Sequence, residues 1–241
     1  MKMKTYCKDR NGTIYGVGIG IGDPEDITLK AMNVIRDSDV LILPQKDKKK
    51  CRAYMIVKEV MPEIEEMDTL ALEFEMTRDT SVSDRNHKEI YETAKDLVLQ
   101  GKNVTFLTIG DPALYSTYSY IAKLAKHDGI NTQAISGISS LTACANILGI
   151  TLCEKDEQLH VIPDTSDIEE ALKNHGTKVF MKCGKDIAHI KEVLKDKSLS
   201  VYAVSDCGMP CERLYRSVEE LPDDGNYMLT VIVKDSPDRS L

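Results

Sequence analysis

Short apolar segments alternate with segments of helical periodicity from Thr13 to Leu148, and this alternation limits how the chain can fold. Apolar runs predict strands over residues 13–19, 40–43, 67–72, 104–107 and 132–135. Helical spacing predicts helices over 27–35, 51–61, 84–100 and 115–126, with a last helix ending at 148. Asp26 is expected to cap the first helix and Gly101 to end the third. The alternation predicts a mostly parallel five-stranded sheet with helices on both faces.

The pattern changes beyond Ser136 and Gly137. Strands are predicted over 159–162, 200–204 and 227–233, with short helices over 168–174 and 187–194, and residues 178–181 are biased towards apolar side chains. Residues 206–213 are predicted to form a bend or hairpin. The sequence therefore predicts an N-terminal α/β domain over 1–136 and a C-terminal α/β domain with a mixed sheet over 137–241.

Composition narrows the functional class. The 241 residues are 42% hydrophobic and 29% charged, which is ordinary for a soluble globular protein. No apolar run approaches the roughly 18 residues that span a membrane, and no apolar signal core follows the basic first ten residues. We expect cytoplasmic residence without a membrane partner. The net charge of −8 argues against a nucleic-acid partner, which needs a basic face. Residues 46–52 form a local basic cluster, and a solvated loop is the commoner role of such a run.

The cysteines and histidines do not predict a metal site. The seven cysteines are scattered, and Cys207 and Cys211 are four residues apart, which is not the spacing of a zinc knuckle. The five histidines are scattered as well. Free thiols in a reducing compartment are expected.

Two glycine-rich turns are the candidate ligand sites. The first, residues 16–24, has glycines at every second position, which suits close approach of another backbone. In the second, Gly110 lets a ligand approach the backbone, Pro112 stiffens the turn, and Asp111 can accept hydrogen bonds or balance a positive ligand. The carboxyl end of a parallel strand is the usual place for a ligand. The alternative is a tight strand-to-helix turn in which Asp111 caps the helix.

Two common nucleotide sites do not fit these turns. The second predicted strand ends in Pro44 and Gln45, so the carboxylate that holds a ribose in dinucleotide-binding domains is missing. No Walker lysine follows either turn.

Three stretches in order, residues 18–31, 108–118 and 136–140, together resemble the tetrapyrrole methylases. The resemblance covers nearly the whole chain. It implies two α/β domains, S-adenosyl-L-methionine as cofactor in the cleft between them, S-adenosyl-L-homocysteine as product, and a homodimer. Residues 73–79, 115–118 and 227–233 resemble the branch that methylates C-20 of precorrin-2 or cobalt-factor II in cobalamin biosynthesis. The resemblance does not decide whether the substrate carries cobalt.

The resemblance also implies the residues of the site. The expected cofactor contacts are Ile21, Gly110, Asp111, Leu114, Ser139, Ser140, Met181, Ala203 and Thr230. Asp111, Tyr115 and Tyr118 are candidates for orientation or proton transfer, and simple packing is the alternative for both tyrosines. An anionic tetrapyrrole needs cations, and Lys46, Arg78 and Arg85 are the candidates. Ile21, Glu75 and Ser136 stand where relatives carry proline, which concerns loop geometry more than the reaction.

The sequence leaves two kinds of alternative open, one within the family and one outside it. The chain belongs either to this branch or to another one, such as a uroporphyrinogen or other precorrin methyltransferase or diphthine synthase. The alternative from a different class is a non-catalytic nucleotide-binding module.

Overall fold

A computed structural model describes residues 12–75, 79–163, 165 and 167–235. The chain divides into two compact units, residues 1–138 and 139–241. Each unit has its own sheet and its own hydrophobic core.

The first unit alternates strands and helices along the chain. The elements in order are β1 (Ile14–Gly18), α1 (Leu29–Arg36), β2 (Val40–Leu43), α2 (Arg52–Val60), β3 (Thr69–Ala71), α3 (Thr80–Leu99), β4 (Val104–Thr108), α4 (Tyr118–His127) and β5 (Thr132–Ile135). The strands pair in the order β3-β2-β4-β1-β5, and every pair is parallel. The predicted parallel five-stranded sheet is confirmed.

The strand order creates a switch in direction at the middle of this sheet. The chain leaves β1 towards β2, on one side, and leaves β4 towards β5, on the other. Because such crossovers are right-handed, α1 and α2 cover one face while α3 and α4 cover the opposite face. β1 and β4 are neighbours followed by helices on opposite faces, which makes their carboxyl ends the topological switch point where open α/β sheets bind ligands.

The core beneath α3 and α4 is dense and partly aromatic. One cluster of buried side chains includes Phe106 on β4, Tyr118 and Ile121 on α4, and Ile90 and Tyr91 on α3. β2 is buried along its whole length, as expected of a strand covered on both faces.

The starts of α1, α3 and α4 differ from the prediction. Thr28, not Asp26, caps α1, with Oγ1 accepting the Ala31 N–H at 3.1 Å, so the predicted Asp26 cap is wrong. Asp26 instead ends a short 3₁₀ turn, Pro24–Asp26. α3 begins four residues before the predicted Asp84, because the Asp79 carboxylate accepts the Ser81 N–H at 3.0 Å.

The prediction for the end of α3 is confirmed. Gly101 follows the helix with φ 83° and donates its N–H to the Val98 carbonyl at 2.9 Å.

α4 begins at Tyr118 rather than at the predicted Tyr115. The reason is that Tyr115 has φ 49°, which no right-handed helix accommodates.

The second unit contains a mixed sheet, as predicted. Its elements in order are α5 (Ser140–Leu148), β6 (Leu159–Ile162), α6 (Ile168–Ala171), β7 (Thr177–Met181), α7 (Ile187–Leu194), β8 (Ser200–Ser205), β9 (Arg213–Tyr215) and β10 (Leu229–Lys234). The strand order is β6-β7-β10-β8-β9, with β6 and β7 parallel and the other pairs antiparallel. β8 and β9 form the hairpin predicted around residues 206–213.

One face of this second sheet forms the core with α7. Phe180, Ala203 and Val231 lie side by side on it and pack with Ile187 and Ile190 of the helix. Across the part of the chain that the structure describes, no helix is both long and apolar enough to cross a membrane.

Candidate functional site

The loops after β1 and β4 are joined by main-chain hydrogen bonds at the switch point. The Ile19 N–H donates to the Thr108 carbonyl at 3.0 Å, and the Gly110 N–H donates to the Gly20 carbonyl at 2.7 Å. Gly20 and Gly110 form an isolated antiparallel bridge. The two glycine-rich turns that the sequence singles out are therefore one structural feature.

Glycines allow three chain segments to meet there. A Cβ on Gly18 would lie 2.5 Å from the Gly110 carbonyl oxygen and 2.6 Å from the Gly137 nitrogen. A Cβ on Gly137 would lie 2.4 Å from the same Gly110 oxygen. Because backbone atoms cannot yield as a flexible side chain does, neither position accepts a larger residue. The close approach at Gly18 agrees with the prediction for the glycines of residues 16–24, whereas sequence reasoning quoted Gly137 within a motif without assigning it this role.

Gly110 differs from these two glycines. Its φ is +80°, a conformation that favours glycine, but a Cβ built there meets no described atom within 4 Å. The space beside the Gly110 Cα is therefore open. The approach of a ligand to the main chain at this turn stays a prediction.

Asp111 ties the β4 loop to the β5 loop. Its Oδ1 accepts the Ala113 N–H at 2.7 Å, and its Oδ2 accepts the Gly137 N–H at 3.2 Å. The alternative role as a helix cap does not describe it, since Thr117 holds the N-cap position of α4. Asp111 therefore holds the main chain of the turn at which the space beside Gly110 is open.

The structure separates the two candidate tyrosines. Tyr118 is buried, with its ring against Gly16 and its hydroxyl donating to the Ile14 carbonyl at 3.3 Å. Burial raises the pKa of the Tyr118 phenol to about 12. Tyr115, in contrast, is 44% exposed and has φ 49°, a strained conformation for a residue other than glycine.

The expected cofactor contacts fall in both units. In the first unit, Ile21 is buried and Leu114 is half-buried, and the Leu114 N–H donates to the Asp111 carbonyl at 3.1 Å. In the second unit, Ser139 is the N-cap residue of α5 and Ser140 begins that helix. Both serines are half-buried.

The remaining contacts lie on the sheet of the second unit. Met181 and Thr230 are directly paired, so their side chains share one face. Ala203 pairs with Val231 and therefore points to the opposite face, into the core. The side chains of Met181 and Thr230 are brought together, and the side chain of Ala203 is not.

Two of the three cations expected to bind substrate are exposed. Lys46 follows β2, its side chain is 84% exposed, and its Nζ lies 3.5 Å from the Glu73 carboxylate. Arg85 is exposed on α3. Arg78 lies outside the described residues. Lys48–Lys50 form a 3₁₀ turn capped by Asp47, which agrees with a solvated loop.

Sequence reasoning also missed Asn86, whose side chain holds the segment after β3. No sequence pattern indicates that contact, because it depends on how α3 lies against the chain. Among the described residues, no group of three or more His, Cys, Asp and Glu side chains is placed to hold a metal ion.

The comparisons with known proteins agree on one family. Residues 13–222 match the family model described as tetrapyrrole (corrin/porphyrin) methylases. The probable cobalt-precorrin-2 C(20)-methyltransferase of Methanocaldococcus jannaschii is 38% identical over 188 residues, which cover 76% of this chain and 77% of that protein. The cobalt-precorrin-2 C(20)-methyltransferase of Salmonella typhimurium is 28% identical, covering 92% of this chain and 96% of that protein.

Solved structures show the same fold. A cobalt precorrin-4 methyltransferase superimposes with a TM-score of 0.73 at 18% identity, covering 92% of this chain and 94% of the other. A uroporphyrin-III C-methyl transferase from Thermus thermophilus, complexed with S-adenyl homocysteine, gives a TM-score of 0.68 at 18% identity, covering 93% of this chain and 98% of the other.

Proposed function

Since this chain belongs to the tetrapyrrole methylase family, we propose that it transfers a methyl group from S-adenosyl-L-methionine to C-20 of precorrin-2 or its cobalt-containing form, in cobalamin biosynthesis. The observation that carries the proposal is the 38% identity to a relative named for this reaction, which extends over 76% of the chain. The relative from Salmonella typhimurium is named for the same reaction. Its match covers nearly the full length of both chains. The structural neighbours are less than 25% identical and support the fold alone.

The turn at Gly110 suits the proposed cofactor. Open space beside the Gly110 Cα leaves room next to the main chain at the switch point, and carbonyl dipoles favour a nearby positive charge. When bound, S-adenosyl-L-methionine supplies the methyl group as an electrophile on a positively charged sulfur. Gly110, Asp111, Leu114 and Ile21 of the first unit are the proposed contacts, together with Ser139, Ser140, Met181, Thr230 and the main chain of Ala203 in the second.

The contribution of this chain to the reaction is mainly positioning. A reduced tetrapyrrole has electron-rich meso carbons, so a strong base is not required for the attack, and orientation can supply much of the rate. Asp111 holds the Gly110 turn against the β5 loop through its two main-chain hydrogen bonds. Its carboxylate and the partly exposed Tyr115 are the proposed groups for accepting the C-20 proton afterwards. The burial of Tyr118 favours the packing role for that residue.

The proposed acceptor is rich in carboxylates, which accounts for the proposed cations. Lys46 and Arg85 are exposed and carry the charge needed to bind these carboxylates, and Arg78 remains a proposal from the sequence.

We further propose that the protein is a cytoplasmic homodimer. Light scattering behind size exclusion tests the dimer, and a monomeric mass at working concentration contradicts it.

The decisive experiment offers labelled S-adenosyl-L-methionine with each of three acceptors under anoxic conditions: cobalt-factor II, metal-free precorrin-2 and uroporphyrinogen III. The expected result is one methyl group on C-20 of the first or the second acceptor, located by mass and NMR. Methylation of uroporphyrinogen III alone assigns the chain to another branch of the family. Cofactor binding without transfer to any acceptor contradicts the proposal and supports a non-catalytic module.

A further inference from the structure

The chain that follows β3 is held by one side-chain amide. Asn86 on α3 donates from Nδ2 to the Glu73 carbonyl at 3.0 Å, and its Oδ1 accepts the Glu75 N–H at 3.0 Å. The last ladder bond of this region joins the Leu72 N–H to the Leu43 carbonyl. Beyond it, the Asn86 amide takes the place of a neighbouring strand, since an amide is both donor and acceptor.

Phe74 anchors the same segment between these two hydrogen bonds. It is 9% exposed, and its ring centroid lies 5.8 Å from that of His87 and 6.3 Å from that of Phe106. His87, the neighbour of Asn86 on α3, stacks on Tyr120 at 4.5 Å. Residues 73–75 are therefore fixed both by main-chain hydrogen bonds and by a buried ring.

Glu73 forms an ion pair with Lys46 at the edge of the sheet. Its carboxylate lies 3.5 Å from the Lys46 Nζ. Lys46 follows β2 and Glu73 follows β3, and the carboxyl ends of parallel neighbours lie at one edge. An exposed ion pair of this kind contributes little to folding stability.

We infer that Asn86 is a positioning residue for the acceptor: it fixes Glu73, and Glu73 fixes where Lys46 presents its charge to a carboxylate of the tetrapyrrole. The inference rests on the proposed function, because it takes its ligand from there. Asn86 touches neither substrate nor cofactor and acts through the Glu73–Lys46 pair. It affects the affinity for the acceptor and leaves the affinity for the cofactor unchanged.

The test compares Asn86→Ala and Asn86→Asp with wild type, and uses Glu89→Ala, an exposed change on the same helix, as the control. Asn86→Ala removes both hydrogen bonds and is expected to raise KM for the acceptor about tenfold, the order expected from two neutral hydrogen bonds. Asn86→Asp keeps the acceptor for the Glu75 N–H but turns a carboxylate oxygen towards the Glu73 carbonyl oxygen, which repels it, so a rise at least as large is expected. The kcat and the Kd for S-adenosyl-L-methionine alone, measured by calorimetry, are expected to stay unchanged, as is every parameter of the control.

Two results overturn the inference. One is an unchanged KM for the acceptor in both Asn86 variants. The other is a parallel loss of acceptor and cofactor affinity, which indicates a general structural defect. If Asn86→Ala does not fold by circular dichroism, Asn86→Asp, which keeps the size of the side chain, decides. If wild type transfers no methyl group, the proposed function fails, and calorimetric binding of the same tetrapyrroles to wild type and variants still decides the role of Asn86.

Discussion

At the scale of single residues, Gly110 offers a test that separates backbone strain from ligand contact. Gly110 and Gly129 have φ of +80° and +70°, and a Cβ on either meets no described atom within 4 Å. Replacing either by alanine is expected to cost about 1 to 2 kcal/mol of unfolding free energy, because a left-handed conformation strains any residue with a Cβ. Only Gly110→Ala is expected to weaken binding of S-adenosyl-L-methionine, measured by calorimetry. Equal cofactor affinity in the two variants would remove the Gly110 turn from the cofactor site.

Asp111 is the second residue whose role can be isolated. Asp111→Ala leaves the Gly137 and Ala113 N–H groups without their acceptor, which costs roughly 1 to 3 kcal/mol for a buried donor and less where water reaches it. The expected outcome is a folded protein that has lost cofactor binding or turnover. Asp47→Ala is the control, since Asp47 makes a similar bond to the Lys49 N–H at 2.9 Å in another loop. Wild-type activity in Asp111→Ala contradicts the assignment of Asp111 to the site.

Tyr118 tests the choice between proton transfer and packing. Because burial raises the pKa of its phenol to about 12, the hydroxyl stays protonated at neutral pH and cannot serve as a base. Tyr118→Phe keeps the ring against Gly16 and removes the bond to the Ile14 carbonyl, so we expect a loss of about 1 kcal/mol in stability and an unchanged kcat. A fall in kcat of tenfold or more, with the fold intact, would assign Tyr118 to the chemistry.

At the scale of elements, most strands could be predicted from the sequence, and so could the starts of α6 and α7, but the starts of α1, α3 and α4 could not. β2, β5 and β6 have their predicted bounds, and β2 is buried along its whole length, as its continuous apolar run indicates. A helix start depends on which of several polar side chains turns back to the main chain. Both Asp26 and Thr28 are acceptable caps by type, and only the structure selects Thr28.

The candidate site shows the same limit. The Gly-Asp-Pro turn is visible in the sequence as a strand end. The bond from Gly137 to Asp111 joins residues 26 apart and exists because β1 pairs with both β4 and β5. Strand order of this kind is not contained in local periodicity, so the partners of Asp111 could not be predicted.

The packing of α3 predicts a pH dependence of stability. His87 is buried, its Nδ1 has no hydrogen-bond partner among the described residues, and burial lowers the pKa of its ring from 6.5 despite the opposing charge of Asp84. The unfolded chain therefore binds a proton more readily than the folded one as the pH falls below about 6.5, and stability falls with it. His87→Phe, which keeps a ring beside Phe74 and Tyr120, is expected to reduce this loss in urea unfolding between pH 7 and pH 5. The exposed His189→Gln is the control, and an unchanged pH dependence in His87→Phe contradicts the prediction.

At the scale of the whole molecule, the chain has two cores and a proposed ligand with contacts assigned to both units. The proposal for the second unit depends on Thr230 and Met181, which share a face of its sheet. Ligand linkage tests it without knowledge of the bound geometry. A ligand that binds only the folded state at one hundred times its Kd raises the free energy of unfolding by about 2.7 kcal/mol. We expect S-adenosyl-L-methionine at that excess to stabilise wild type by this amount in urea unfolding.

Thr230→Val then asks whether the second unit contributes to that stabilisation. The change replaces a buried hydroxyl by a methyl group, so it alters the stability of the free protein as well. Comparing each variant with and without cofactor removes that intrinsic effect, because it is present in both measurements. The expected result is a smaller cofactor-induced shift in Thr230→Val than in wild type at the same cofactor concentration. Thr177→Val, at another buried position on the same sheet, is expected to keep the full shift. A full shift in Thr230→Val would show that its hydroxyl does not contact the cofactor, and the assignment of the second unit would then rest on Met181 and the serines of α5.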